Sequence, residues 1–324
     1  AFAIGGAIPF GMNSRQLTAW MVDGNGTKLM REFYAKYNIV NFLGGNTGAQ
    51  MGGWFRKEVK SPADIKGLKF RVGGFAGKVI ERMGGVPQNI PGGEIYQALE
   101  KGTIDAAEWI GPYDDLKLGF NKVAPFYYYP GWWEGSLNLE FYVNQKALDG
   151  LSAENKAIVR AAAHEAHVTT QARYDARNPG ALKQLVAAKT KVVPFPQSVL
   201  DASFKSTMEL YADLDKSNPE WKKIYADYRN FQRDQILWFR FAESRFDSFM
   251  SSQKRCFPLK PARFAWRAFL RPALAHSCAG KPPTRGSQHT RARATAWRQP
   301  LLGRSWGGER KRTGWLLIRP FWAL

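Results

Sequence analysis

Apolar and polar positions alternate in short blocks over the first 250 residues, and glycine pairs punctuate them. The apolar run Ile39-Val40-Asn41-Phe42-Leu43, closed by Gly44-Gly45, predicts a strand. Ser61-Pro62-Ala63-Asp64-Ile65-Lys66-Gly67 carries a Ser cap, a Pro at the first position and a Gly stop, which predicts one helical turn. A strand follows from Leu68 to Val72, then a break at Gly73-Gly74, then a helix from Lys78 to Met83 stopped by Gly84-Gly85. Glu94 to Lys101 reads as a helix with Ile95, Ala98 and Leu99 on one face, and Thr103 to Trp109 as the next strand. This strand–helix rhythm predicts parallel α/β units.

The pattern turns helical after Ser152. Ile158, Val159, Ala162 and Ala166 form a stripe of small and apolar residues, Asn178-Pro179 predicts a new helix start, and Lys191 to Phe195 a short extended piece. Asn218-Pro219 opens a long helix whose apolar positions run from Trp221, Ile224 and Tyr228 through Phe231, Trp238 and Phe246 to Phe249. That spacing fits 3.6 residues per turn over about eight turns. Beyond Met250 the period is lost in a mixture of Arg, Trp, Pro and Gly.

Charge sharpens that boundary. The formal net charge of the 324 residues is +20, which by itself points to nucleic acid or an anionic surface. Residues 251–324, however, hold 16 Lys and Arg against one acid, Glu309, so +15 of the +20 sits there and the preceding 250 residues are only mildly basic. The same segment holds five of the twelve Trp and both cysteines, Cys256 and Cys278. Residues 251–324 are therefore expected to be a disordered or out-of-frame extension that buries too little surface to offset its ordering entropy. Residues 1–250 contain no cysteine, which excludes a disulfide framework or thiolate zinc site and suits an oxidising compartment.

Three stretches carry a family resemblance. The first is Ser61 to Lys66 followed by Gly67-Leu68-Lys69-Phe70-Arg71-Val72. The second is Ala98-Leu99-Glu100-Lys101-Gly102-Thr103-Ile104-Asp105-Ala106-Ala107-Glu108-Trp109-Ile110-Gly111-Pro112. The third is Tyr127-Tyr128-Tyr129-Pro130-Gly131-Trp132-Trp133-Glu134-Gly135. Together they resemble the extracytoplasmic solute-binding proteins of tripartite ATP-independent periplasmic (TRAP) transporters, in the branch that binds 2-oxo acids or lactate. The resemblance covers residues 1–250. It implies a two-domain α/β periplasmic clamp with hinge strands and a long C-terminal helix, closing over a small organic acid. Family members carry a further stretch, signal peptide included, ahead of the position of Ala1. The implied organisation is therefore a remnant of the first domain at 1–40 plus 133–176, a second domain at 41–132 plus 177–250, and the extension at 251–324.

The resemblance also assigns a site. Arg71, at a strand end, is implied to anchor the solute carboxylate, since a guanidinium fork matches a carboxylate with two parallel hydrogen bonds. Gln50, Glu108, Glu134 and the backbone carbonyl of Trp109 are implied to hold a metal ion between protein and solute. Oxygen donors of this kind fit sodium or calcium rather than zinc. Gln50 and Trp109 are also implied to touch the solute, Trp109 as an aromatic wall, while Trp132 and Trp133 are read as core. The implied partners are the small and large TRAP membrane subunits, a homodimer is admitted, and no nucleic acid is expected. The expected location is the periplasm, and the expected activity is capture and delivery for sodium-driven import without catalysis.

Other motifs weigh little. Gly73-Gly74-Phe75-Ala76-Gly77 fails the dinucleotide spacing, and His164-Glu165-Ala166-His167 places its histidines three apart and reads as a solvated helix face. Two rivals stand beside the transport reading: a nucleic-acid binder acting through residues 251–324, and a metal-assisted enzyme acting on a 2-oxo acid with the same Arg, Glu and Gln cluster.

Overall fold

A computed structural model describes residues 2–253, all within one compact unit of the chain. The strands are β1 (Ile39–Asn46), β2 (Trp54–Phe55), β3 (Lys69–Arg71), β4 (Val86–Gln88), β5 (Ala106–Ala107), β6 (Phe126–Tyr129), β7 (Asn138–Asn144) and β8 (Lys191–Pro194). The helices are α1 (Ser14–Val22), α2 (Gly26–Ala35), α3 (Gly74–Arg82), α4 (Ile95–Lys101), α5 (Pro112–Leu118), α6 (Gln145–Asp149), α7 (Ala153–Ala187), α8 (Gln197–Ser217), α9 (Pro219–Phe241) and α10 (Glu243–Ser252). The expectations for residues 254–324, including both cysteines, lie outside the described residues.

Two sheets organise these elements. β1 and β7 pair antiparallel, and the other six strands form a sheet in the order β4-β3-β5-β2-β6-β8. The β4-β3-β5 half is parallel and is wound by α3 and α4, as the alternating rhythm predicts. The sheet as a whole is mixed, because β2 enters antiparallel to both β5 and β6. The chain crosses between the sheets at residues 47–53 and returns at residues 130–137. β1 runs through the glycine pair to Asn46 with a register shift between Leu43 and Gly45, so Gly44-Gly45 shapes a bulge and does not end the strand.

The local signals are mostly used as written. The Ser61 turn closes with Asp64 accepting from the backbone N–H of Lys60 and of Ser61, each at 2.9 Å. Asn218 caps α9 by accepting from the Trp221 N–H at 2.9 Å. Four expectations are corrected. Asn178-Pro179 starts no helix, because α7 is continuous over 35 residues and carries Pro179 inside it. The Asn178 side chain instead accepts from the Tyr113 N–H of α5 at 3.0 Å, so the capping residue serves another helix. The buried stripe of α7 is Ala163, His167, Ala181 and Leu185, a phase that leaves Ile158 exposed. His167 is thus no solvated residue: its ring nitrogens lie 2.9 Å from the Gly45 carbonyl and 3.1 Å from Thr18 Oγ1. Finally, the long last helix breaks at Ala242. Its first half buries Trp221, Ile224 and Tyr228, whereas Trp238, Phe246 and Phe249 are exposed.

Candidate functional site

The expected strand from Thr103 to Trp109 shortens to the two residues of β5, and its remainder bends away to make the centre of the site. β5 holds Glu108 in place through the ladder to β3, where the Glu108 N–H donates to the Arg71 carbonyl at 3.0 Å. Gln50 stands on the first crossover between sheets and Glu134 on the second. Backbone bonds lock these segments to each other. Gln50 N–H donates to the Glu134 carbonyl at 3.1 Å, Gly131 N–H to the Gln50 carbonyl at 2.9 Å, and Met51 N–H to the Ile110 carbonyl at 3.1 Å. This approach requires glycine at 131, since a Cβ there would stand 2.7 Å from the Met51 carbonyl oxygen.

Arg71 and Glu108 form a largely buried ion pair through Nη1 and Oε1. The same Nη1 donates to the Glu108 backbone carbonyl at 2.9 Å, and Nε to the Ile90 carbonyl at 3.3 Å. Among the described residues Nη2 has no hydrogen-bond acceptor, which leaves its two donors unused by the protein. The guanidinium lies 5.2 Å from the centre of the Trp109 ring, within cation–π range. That ring is half-buried against Gly92, where a Cβ would approach it to 2.5 Å, so Trp109 has one part of its ring in the packing. Trp132 and Trp133 pack with Phe10, Phe70 and Phe195 in the core, as read from the sequence.

One cation faces two carboxylates here. Burial pushes the Glu108 carboxyl up to about 8; the nearby Glu134 charge adds to this and Arg71 opposes it. Burial likewise raises Glu134 to about 7, again against the pull of Arg71. Gln50 is 5% exposed; its Nε2 donates to Thr47 Oγ1 at 3.1 Å, while its Oε1 is buried with no hydrogen-bond partner. A buried amide oxygen without a donor is costly. Two under-compensated carboxylates beside an unpaired amide oxygen form a donor set that fits a hard cation with oxygen ligands. No group of three or more His, Cys, Asp or Glu able to hold a metal occurs among the described residues, so such an ion would rely on the amide and on backbone carbonyls as well.

The structure brings together Gln50, Arg71, Glu108, Trp109 and Glu134. Sequence reasoning missed Asp115, whose carboxylate fastens the segment after Trp109, and the Ile90 carbonyl that steadies Arg71. An Asp three residues past Gly111-Pro112 was visible as a first-turn helix acid, but its partners were not.

Arg71, two buried carboxylates and an unpaired amide oxygen thus meet where the chain crosses between the two sheets, and comparison with known proteins gives the family. Residues 2–218 match the model of bacterial extracellular solute-binding protein family 7. The chain belongs to this family of TRAP-type solute-binding proteins, with its two-domain fold. It is 44% identical over 254 residues to the monocarboxylate 2-oxoacid-binding periplasmic protein of Nostoc sp. strain PCC 7120, covering 78% of this chain and 70% of that one. Among solved structures it is similar to a TRAP transporter solute-binding protein from Bordetella bronchiseptica RB50, a mixed-occupancy dimer with co-purified calcium and picolinate. Identity there is 51%, the TM-score 0.75, and coverage 77% of this chain and 74% of that chain. A TRAP periplasmic solute-binding protein from Pseudoalteromonas atlantica T6c with bound sodium and pyruvate is 42% identical. Its TM-score is 0.73, and the match covers 75% of this chain and 74% of that chain.

Proposed function

We propose that this chain captures a small 2-oxo or 2-hydroxy monocarboxylate together with a sodium or calcium ion, and hands the acid to TRAP membrane subunits without chemically altering it. The observation that carries the reading is the proximity of Arg71, Glu108 and Glu134, with the unpartnered Gln50 oxygen on the crossover bonded to Glu134. Arg71 anchors the solute carboxylate through its Nη2 donors, and Trp109 excludes water beside it. Gln50 Oε1, Glu108, Glu134 and the Trp109 carbonyl would hold the cation, which supplies positive charge for the carboxylate and 2-oxo oxygens. Relatives that hold calcium or sodium beside picolinate or pyruvate support this assignment. The periplasm is the location that the family and the cysteine-free body favour.

In this reading the two lobes follow the two sheets. That moves residues 41–46 from the six-stranded lobe, where the sequence placed them, to the lobe of β7 with which they pair. The exposed apolar side chains Leu237, Trp238, Phe241, Phe246 and Phe249 on α9 and α10 provide a face for a second copy of the chain. The dimeric state of the Bordetella relative supports that assembly. The test of the proposed function is a thermal-shift screen of the chain against pyruvate, lactate, succinate and glucose, each with sodium, calcium or a chelator. Stabilisation by pyruvate or lactate that requires the cation supports it, and a response to glucose or succinate alone contradicts it.

A further inference from the structure

We propose that Asp115 is a positioning residue for the cation and solute site, clamping the Glu108–Gly111 segment to the centre of the six-stranded sheet. The proposal rests on the solute-binding function just described.

The Asp115 carboxylate is 1% exposed and lies outside the site itself, on the first turn of α5. Its two oxygens face opposite ways. Oδ1 accepts from the backbone N–H of Ile110 at 3.2 Å and of Gly111 at 3.0 Å, the two residues that follow Glu108 and Trp109. Oδ2 accepts from Trp54 Nε1 at 2.9 Å and from Tyr127 Oη at 2.8 Å. Trp54 is in β2 and Tyr127 in β6, and the two residues pair across the sheet with their rings stacked 3.9 Å apart. One carboxylate thus connects the segment that leaves the sheet after the Glu108 ladder bond to two central strands. Burial pushes its carboxyl up to about 6, and the four donors pull against that rise by favouring the carboxylate.

The consequence concerns geometry. The Ile110 carbonyl receives the Met51 N–H, so the segment Asp115 holds is also the support of the Gln50 crossover. Releasing it would let Glu108, the Trp109 carbonyl and Gln50 drift together. Loss of an outer hydrogen-bond partner of a metal ligand typically weakens metal affinity about 10–100-fold.

Asp115→Asn tests this with little change in shape. Its Oδ1 still accepts from the two amides, but its NH₂ faces the Trp54 N–H, which can only donate. Tyr127→Phe removes one clamp bond and keeps the ring stack. Tyr211→Phe is the control: it removes a buried bond to the Pro9 carbonyl at 2.8 Å, and its hydroxyl makes no hydrogen bond to Gln50, Arg71, Glu108, Trp109 or Glu134. Each variant of the 324-residue chain is titrated calorimetrically with calcium chloride, then with pyruvate at saturating calcium, and its melting temperature is recorded. The expected result is calcium binding about tenfold or more weaker in Asp115→Asn, a smaller loss in Tyr127→Phe, and unchanged affinity in Tyr211→Phe despite a lowered melting temperature. If Asp115→Asn does not fold, the comparison of Tyr127→Phe with Tyr211→Phe decides. Variants that melt earlier but bind calcium and pyruvate like the unaltered chain overturn the positioning role alone. An unaltered chain that binds neither probe overturns the functional reading and this proposal with it.

Discussion

Replacing Arg71 by Lys keeps the positive charge beside Glu108 and removes the planar fork. Arg71 already uses Nη1 on the carboxylate and carbonyl of Glu108 and Nε on the Ile90 carbonyl, so in its proposed role as anchor it would reach a solute through Nη2. A lysine ammonium held by Glu108 cannot reproduce both sets of bonds. The loss of one charge-assisted hydrogen bond is worth about 1.5–3 kcal/mol. That corresponds to pyruvate binding roughly 10- to 150-fold weaker. Arg71→Ala goes further, because it also leaves two buried carboxylates without their cation, and should abolish binding. Titration calorimetry with pyruvate at saturating calcium reads both, with circular dichroism checking that each variant is folded. A folded Arg71→Lys protein with unaltered pyruvate affinity would falsify the anchor assignment.

Other perturbations reach the rest of the account. Glu108→Gln should weaken calcium and pyruvate together, as linked ligands must be affected together, and a variant that loses one while keeping the other contradicts a shared site. Burial lowers the pKa of His167 below its usual value, so the folded state disfavours the imidazolium. Its contribution is therefore complete above about 6.5 and is lost as the pH falls below that value. His167→Gln should flatten the fall in melting temperature between pH 7 and pH 5, and an unchanged slope would place the acid sensitivity elsewhere. Trp238→Ser with Phe241→Ser should shift the chain toward monomer in sedimentation, while a mass distribution identical to that of the parent removes the α9–α10 face as the dimer contact.

The sequence disclosed what is local and what is motif-borne. The capped turn at Ser61, the breaks at Gly73-Gly74 and the N-cap at Asn218 are set by neighbouring residues, and each appears where it was read. Arg71, Glu108 and Glu134 were reached through the motifs that contain them, and the structure brings them into one site. Features that depend on distant partners were illegible. Asp115 is understood only when Trp54, 61 residues earlier, is seen against it. Asn178 has the chemistry of a cap, yet the amide it satisfies belongs to Tyr113, 65 residues away, and Pro179 is carried inside a helix that packs on both β1 and α5. The stripe of α9 kept its period past the point where any described residue covers it, because periodicity records an apolar face and not the body that will bury it.

The central claim is that solute and cation share one site built from Arg71, Gln50, Glu108 and Glu134. Its most direct measurement is a calorimetric titration of the unaltered chain with pyruvate, first with saturating calcium and then after exhaustive chelation in sodium-free buffer. The account predicts that pyruvate affinity falls sharply on chelation, and that pyruvate in turn tightens calcium binding by the same factor. Pyruvate binding of equal strength in both conditions would contradict it.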